Sequence, residues 1–545
     1  MANIKFNKKI FEKEIGSLDE VMQNKIAMFG TTLEQVTDEE VEIEVNPNRP
    51  DLLSYLGFKR SFLNFLEKTR GLKKYGLKKP EKDYEIIVNS SVKEIRPYTV
   101  CAIVKKLNFN DEKIKELIDI QEKLHFTIGR KRKKLAIGIY PLEKIKLPIT
   151  YTALEPDKIK FIPLEATREM SGLEILQRHP TGRDYAHLLA GKYKFPVFID
   201  ADKNILSMPP IINSQSIGKI TKETKEVFVE CSGFDMWILE KCLNIVVTSL
   251  AEIGGEIYQM KIGSKTTPDL KTEKRKISLE NTNKLLGLNL NEKQIKTFLE
   301  KMGHNYSDKE VETPSWRVDI LHEVDLIEDI AIAYGYDNFV PEMPQISTIG
   351  QENSKEVIKK KISEILSGLN MLEISNYHLT NKKDQFEKMG VPEKQEKDFI
   401  EVEESKTEYN LLRKDLAHYL LKTFSENTDS EYPQRIFETG KVFSQNKDKL
   451  SEKEMLAAAL VSGNFTEMKQ ILLHLSEMAA LSFEFKEAEI FPNWFIDGRV
   501  AEIFLEGKSL GFLGEIHPRI LKNWKMKMPV ALFEIDLEEI FNRLI

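Results

Sequence analysis

The chain has 545 residues, 41% of them hydrophobic and 30% charged, with a formal net charge of -6. That length predicts roughly three to five domains, and the negative balance excludes a chain basic throughout, so any nucleic-acid contact has to use a local patch. Cys101, Cys231 and Cys242 lack CxxC spacing and histidine neighbours, the N-terminus is charged and no long apolar run occurs, which argues against zinc, disulfides, a signal peptide and a membrane span and fits a cytoplasmic protein.

Val41, Ile43 and Val45 alternate with glutamates and predict a strand with one buried face. Asn46-Pro47-Asn48-Arg49-Pro50-Asp51 forces a turn, Asp51 is a candidate helix cap, and Tyr55, Phe62 and Leu66 form the apolar stripe of the helix that follows. The Lys/Gly/Pro-rich stretch 71–82 reads as a linker. Between about 84 and 260 helical runs such as 111–124 alternate with strand-like runs such as 135–140 and 195–199. Residues 267–334 read strand, helix, helix, strand, helix, a winged-helix-like order. Residues 341–351 predict a second linker, and the remainder holds a helix at 357–369 and a strand at 499–505.

The densest acidic pattern follows Pro314-Ser315-Trp316-Arg317-Val318-Asp319-Ile320. Asp325, Glu328 and Asp329 lie at i, i+3 and i+4 on one helix face, while Ile327, Ile330, Ala331 and Tyr334 line the other. Asp319 precedes that helix at the end of a strand-like run. Four carboxylates at one helix end need positive charge nearby, either a hard cation such as Mg²⁺ or a basic surface. An exposed acidic face with no metal is the commoner outcome.

These residues, with Tyr334-Gly335-Tyr336-Asp337, resemble the B5 domain of the phenylalanyl-tRNA synthetase beta subunit, and the resemblance covers nearly the whole chain. Asn46 to Ser54 is similar to the N-terminal domain of that family. Gln121 to His125 with Gly129 to Arg132, Met208 to Ser214, and Val227 to Asp235 resemble its archaeal and eukaryotic B3/B4 domain. Four segments resemble its catalytic-like module: 409–416, 435–443, 497–503 and 511–518. The implied fold is multidomain α+β. It comprises an N-terminal α/β domain (1–82), a B3/B4-type editing domain (84–262), a winged-helix-like B5 domain (267–342) and a class II synthetase-like antiparallel-sheet domain (350–545).

The resemblance also implies chemistry. Asp319, Asp325, Glu328 and Asp329 would bind Mg²⁺ shared with an alpha subunit, in a tetramer of two alpha and two beta chains that charges tRNA(Phe) with phenylalanine. No Arg-x-Glu phosphate clamp, Gly-rich strand ending in arginine or P-loop is present, so ATP would bind at the alpha partner. The catalytic-like module would then be an assembly surface, with Phe491, Trp494, Phe495, Phe504 and Phe512 as candidate contributors and core packing as their default role.

The B3/B4 likeness implies hydrolysis of tyrosine misattached to tRNA(Phe). An apolar pocket rejects an added hydroxyl poorly, whereas a site that demands the hydroxyl rejects phenylalanine strongly. Glu230 would accept the tyrosine hydroxyl and His125 would orient the ester or a water. Gln121, Asn213, Ser214 and Asp235 would hold the amino acid and ribose, and Arg132 a phosphate or ribose. No Ser-His-Asp spacing exists, so a positioned water is the expected nucleophile. Tyr140-Pro141 stands where relatives commonly carry His-Asp, and Phe234 where a small polar residue is frequent. A scaffold with a degenerate editing site is therefore the alternative, and a nucleic-acid-binding module at 267–340 a third. The basic run Arg130 to Lys134 is a candidate tRNA contact.

Overall fold

The computed structural model describes residues 2–392, 399–403, 405–446 and 449–545 and divides into two units, Met1–Met343 and Pro344–Ile545. In the first unit, strands Ala2–Asn7, Glu40–Val45 and Thr32–Val36 form an antiparallel sheet with Ile4 opposite Ile43 and Phe6 opposite Val41. Val41, Ile43 and Val45 are all fully buried, as their alternation predicts. Helix Tyr55–Phe65 packs Phe58, Phe62 and Phe65 around Phe29 in edge-on and tilted ring contacts. Its cap is Ser54, which accepts the Gly57 amide, and not Asp51. Asp51 is buried in a 3-10 turn and accepts two bonds from the Arg49 guanidinium. Gly57 is required by close approach, because a Cβ there would stand 2.0 Å from the Asp51 carbonyl oxygen.

The centre of this unit is an eleven-stranded sheet. Nine strands run in the order Ile212–Asn213, Ile205–Met208, Phe195–Ile199, Ile149–Leu154, Glu85–Val88, Glu256–Ile262, Tyr98–Lys105, Val227–Gly233 and Leu135–Pro141, and two short ones, Leu77–Lys78 and Lys265–Thr267, pair with Glu256–Ile262 off this path. Helices Asp111–Phe126 and Met236–Glu252 bury their apolar stripes on one face, against Val100, Val104, Ile137 and Val229. Tyr140, Tyr151, Phe198 and Phe228 fill the other. The stretch read as a linker after residue 71 is tied down: Leu77–Lys78 pairs with Ile257–Tyr258, and the Gly71 amide donates to the Glu300 carbonyl. A continuous core joins Ile4 and Phe62 to Ile137, Trp316 and Ala333.

Residues 273–334 contain one strand more than expected. The order is strand Glu273–Lys276, helices Leu279–Leu286 and Glu292–Lys301, strands Asn305–Ser307 and Glu310–Thr313, and helix Glu323–Tyr334. Asp308 and Lys309, at φ 50° and 63°, make the two-residue turn that folds the extra hairpin. Asp319 lies in a loop and not at a strand end, since the last strand stops at Thr313.

The second unit is a seven-stranded sheet ordered Leu372–Glu373, Arg435–Asn446, Lys449–Val461, Val530–Asp536, Lys508–Ile516, Phe495–Leu505 and Phe483–Glu487. All neighbours are antiparallel except the short first strand. Helices Ser354–Gly368, Phe465–Met478 and Glu538–Leu544 pack on one face, and Ala417–Glu426 with Pro518–Asn523 on the other. Phe495 is buried there, and Phe491, Trp494 and Phe512 pack around it, so these side chains serve the core. Phe504 stays outside these cores with Lys486 over its ring.

Candidate functional site

The cavity that gathers most of the expected residues has a volume of about 510 Å³. Its walls are helix Asp111–Phe126, strands Leu135–Pro141 and Val227–Gly233, and the segment from Ser207 to Asn213. Gln121, His125, Arg132, Asn213 and Glu230 line it, whereas Ser214 and Asp235 do not. The Ser214 hydroxyl meets that of Ser216, and Asp235 caps helix Met236–Glu252 by accepting the amides of Trp237 and Ile238.

Gln121 and His125, one helical turn apart, grip the same residue of the edge strand. Gln121 Nε2 donates to the Ile137 carbonyl at 3.0 Å, and His125 Nε2 accepts the Ile137 amide at 2.7 Å. Together they satisfy backbone groups that an edge strand leaves unpaired. With Nε2 accepting, the ring proton sits on Nδ1 and points to Glu122 Oε1 at 3.2 Å. Burial lowers the His125 pKa and keeps the ring neutral. Both nitrogens are occupied, so His125 positions the wall and is not a free base. Arg132 is also committed. It donates to the Ile211 carbonyl at 2.9 Å and to Glu122 at 2.9 Å, and its guanidinium stacks over Tyr185. Burial works to raise the Glu122 pKa, but His125 and Arg132 hold it down to about 2.

Glu230 is the unusual group. It is 2% exposed; Oε1 accepts from the Tyr140 hydroxyl at 3.2 Å, and Oε2 is buried with no hydrogen bond. Burial pushes its pKa up to about 8, against the lowering influence of Arg96 and the hydroxyls of Tyr140 and Ser232. Arg96 is itself buried, donating to the Ser232 carbonyl at 2.7 Å. A buried carboxyl oxygen without a partner is costly to maintain, and Glu230 is the residue of the cavity lining that carries one. Sequence reasoning missed Arg96 and Ser207, which carry no motif. It noted Tyr140 only as a departure.

At the acidic helix the carboxylates are largely spoken for. Arg317 donates to both oxygens of Asp319, at 2.8 and 2.6 Å, and to Asp329 at 2.9 Å. His304 meets the same Asp329 oxygen at 2.7 Å. Burial works to raise the Asp329 pKa, but Arg317 and His304 hold it well below the ordinary range. Asp325 caps the helix start by accepting the amides of Leu321 and His322 at 2.7 Å each. Glu328 makes no hydrogen bond of this kind, and burial together with Asp329, Asp319 and Asp325 raises its pKa. Among the described residues no group of three or more acidic, His or Cys side chains is arranged to hold a metal. The four do not by themselves form a cation cage within this chain, because Arg317 already neutralises Asp319 and Asp329 and Asp325 is spent on the amides at the helix start.

Arg130, Lys131 and Arg132 take φ of 46°, 53° and 65° in succession, a strained turn at the end of the cavity helix. No helix among the described residues is long and apolar enough to cross a membrane.

Comparison with known proteins places these features in one family. Residues 340–537 match the phenylalanyl tRNA synthetase beta chain CLM domain, and residues 275–336 the tRNA synthetase B5 domain. The chain is 40% identical over 508 residues to the phenylalanine–tRNA ligase beta subunit of Thermococcus sibiricus, covering 91% of this chain and 90% of that one. The corresponding protein of Archaeoglobus fulgidus is 37% identical, with 97% of each covered. A solved N-terminal fragment of the phenylalanyl-tRNA synthetase beta-subunit from Pyrococcus horikoshii superposes with a TM-score of 0.58 at 36% identity, over 61% of this chain and 99% of the fragment. Identity at this level over nine-tenths of the sequence, together with the two domain matches, means that the chain belongs to the phenylalanine–tRNA ligase beta-subunit family.

Proposed function

We propose that this beta subunit, within the ligase that charges tRNA with phenylalanine, hydrolyses tyrosine misattached to that tRNA in the cavity around Glu230. The observation that carries the reading is the buried, unpartnered Oε2 of Glu230. A tyrosine hydroxyl hydrogen-bonded to it would satisfy an otherwise orphaned group, and a phenylalanine ring would leave it orphaned. Water attacks the ester carbonyl, the ester C–O bond breaks, and the products are free tyrosine and a tRNA 3′-terminal hydroxyl. No Ser-His-Asp set is needed, and His125 acts by holding the cavity wall. The exposed Arg130 and Lys131 of the strained basic turn are the proposed contact for tRNA phosphates, where affinity should fall as salt rises. A cytoplasmic setting, an alpha subunit binding ATP, and a tetramer of two alpha and two beta chains complete the proposal. A magnesium ion at Asp319, Asp325, Glu328 and Asp329 would need ligands from elsewhere, and no step depends on it.

The second reading is a structural subunit whose cavity no longer hydrolyses. The Tyr140 hydroxyl favours it, because that group already stands at the carboxyl a substrate hydroxyl would seek. Deacylation of tyrosyl-tRNA(Phe) and phenylalanyl-tRNA(Phe) by the complex, with wild-type chain and Glu230→Ala, separates the two. The proposal expects fast release of tyrosine only and a loss on the order of a hundredfold in the variant. Equal, background release from both proteins would establish the structural reading.

A further inference from the structure

We propose that the Glu122 carboxylate, at the mouth of the cavity, is the subsite for the α-ammonium of the aminoacyl ester, so that the cavity takes esters with a free amino group and rejects N-acylated ones. The proposal rests on the deacylation reading and adds a residue to it.

The structure leaves the ammonium without the partners that the sequence suggested. Asp235 lies outside the cavity and caps a helix, Ser214 does not line it, and Gln121 gives its side-chain amide to the Ile137 carbonyl. Enclosing an ammonium without a counter-charge is strongly unfavourable. The acidic residues of the lining are Glu122, Glu165 and Glu230. Glu230 is buried, and burial pushes its pKa up to about 8, so at neutral pH it is mostly protonated and offers little charge.

Glu122 differs on each count. Ile118, Gln121, Glu122 and His125 repeat at i, i+3, i+4 and i+7 on helix Asp111–Phe126, and all four line the cavity. The Glu122 side chain is 50% exposed, which places it where the cavity meets solvent. Its Oε1 meets His125 Nδ1 at 3.2 Å and accepts from Arg132 at 2.9 Å. Among the described residues no hydrogen bond or ion pair reaches Oε2. Burial works against its charge, but His125 and Arg132 keep the pKa near about 2, so the group is ionised at neutral pH. The grip of Gln121 and His125 on Ile137 fixes the turn of helix that carries it. An ammonium therefore meets a carboxylate already oriented, with one oxygen anchored and one free. Arg132 offsets part of the charge, and the free oxygen still offers a short charge-assisted bond to an N–H donor. Glu165 has the weaker claim. It is exposed in a turn at φ 68°, its amide donates to Gln215, and among the described residues no hydrogen bond holds its carboxylate.

The test is NMR titration of the full-length chain with 4-(2-aminoethyl)phenol and 4-ethylphenol, which differ only in the amino group. Wild type should bind the amine about tenfold or more tighter than the ethylphenol. Glu122→Gln should bring that ratio to about one with little change for the ethylphenol. Glu122→Asp should retain part of the preference and Glu165→Gln all of it. A wild-type ratio near one, a ratio that survives Glu122→Gln, or a preference lost in Glu165→Gln overturns the proposal. So does an equal loss of both fragments in Glu122→Gln, which would mean that Glu122 only supports the wall, and so does no binding of either to wild type. A crystal structure of wild type with the amine should put its nitrogen against Glu122 Oε2, and a nitrogen elsewhere overturns the proposal whether or not the variants fold. In the complex with the alpha subunit, tyrosyl-tRNA should be hydrolysed faster than N-acetyl-tyrosyl-tRNA, and Glu122→Gln should narrow the gap. If the wild-type complex hydrolyses neither ester, the deacylation reading fails, while the fragment ratio still decides the role of Glu122.

Discussion

Replacing Glu230 with glutamine should convert a pH-sensitive first unit into a less sensitive one. The Glu230 carboxyl moves from an ordinary 4.5 in the unfolded chain to about 8 in the folded protein, because burial penalises its charged form. Between those values the unfolded state has lost the proton and the folded state keeps it, so stability falls as pH rises. At about 1.4 kcal/mol per decade, the loss contributed by this one group between pH 5 and pH 8 is about 3.5 kcal/mol. Glu534 in the second unit is also raised to about 8, so the wild-type trend alone is not diagnostic, and the difference between wild type and Glu230→Gln is. Native-state hydrogen exchange of the amides in strands Leu135–Pro141 and Val227–Gly233, corrected for intrinsic rates, reports the first unit directly. The variant should match or trail wild type at pH 5 and surpass it by about 2 to 4 kcal/mol at pH 8. A constant difference across that range would refute the assignment of a buried, neutral carboxyl at this position.

Asp329→Asn leaves Arg317 buried without half of its counter-charge and should destabilise the chain by about 3 to 5 kcal/mol in urea unfolding. In the wild type the Asp329 contribution is present above its ordinary pKa and disappears as pH drops, so acid unfolding should start earlier in the variant; matching acid midpoints would count against the pairing. Gly138→Ala drives a Cβ into the Tyr140 oxygen, and a cost of about 1 to 3 kcal/mol in urea unfolding is expected; a neutral effect would mean the strand relaxes freely. Calorimetric titration of Mg²⁺ into the chain alone should show no stoichiometric binding below about millimolar concentration, since Arg317 and the helix start already engage three of the four carboxylates. Tight one-to-one binding would overturn that conclusion.

The sequence by itself determined the family, the alternation of Val41, Ile43 and Val45, the acidic face at Asp325 to Asp329 and the cavity residues Glu230 and Asn213. Short-range periodicity and motif spacing carry that information, because they describe which groups share a face of one element. It did not determine what those groups do. Arg317 and His304 reach Asp329 from outside its helix, Gln121 and His125 spend their polar atoms on the backbone of Ile137, and Asp235 is a helix cap. The strand at Leu77–Lys78 in an apparent linker depends equally on a partner at Ile257–Tyr258. Each of these assignments is a competition for hydrogen bonds and charge between residues distant in the chain. Only the tertiary structure decides it, since a polar side chain in a folded core serves whichever unsatisfied group lies within its reach.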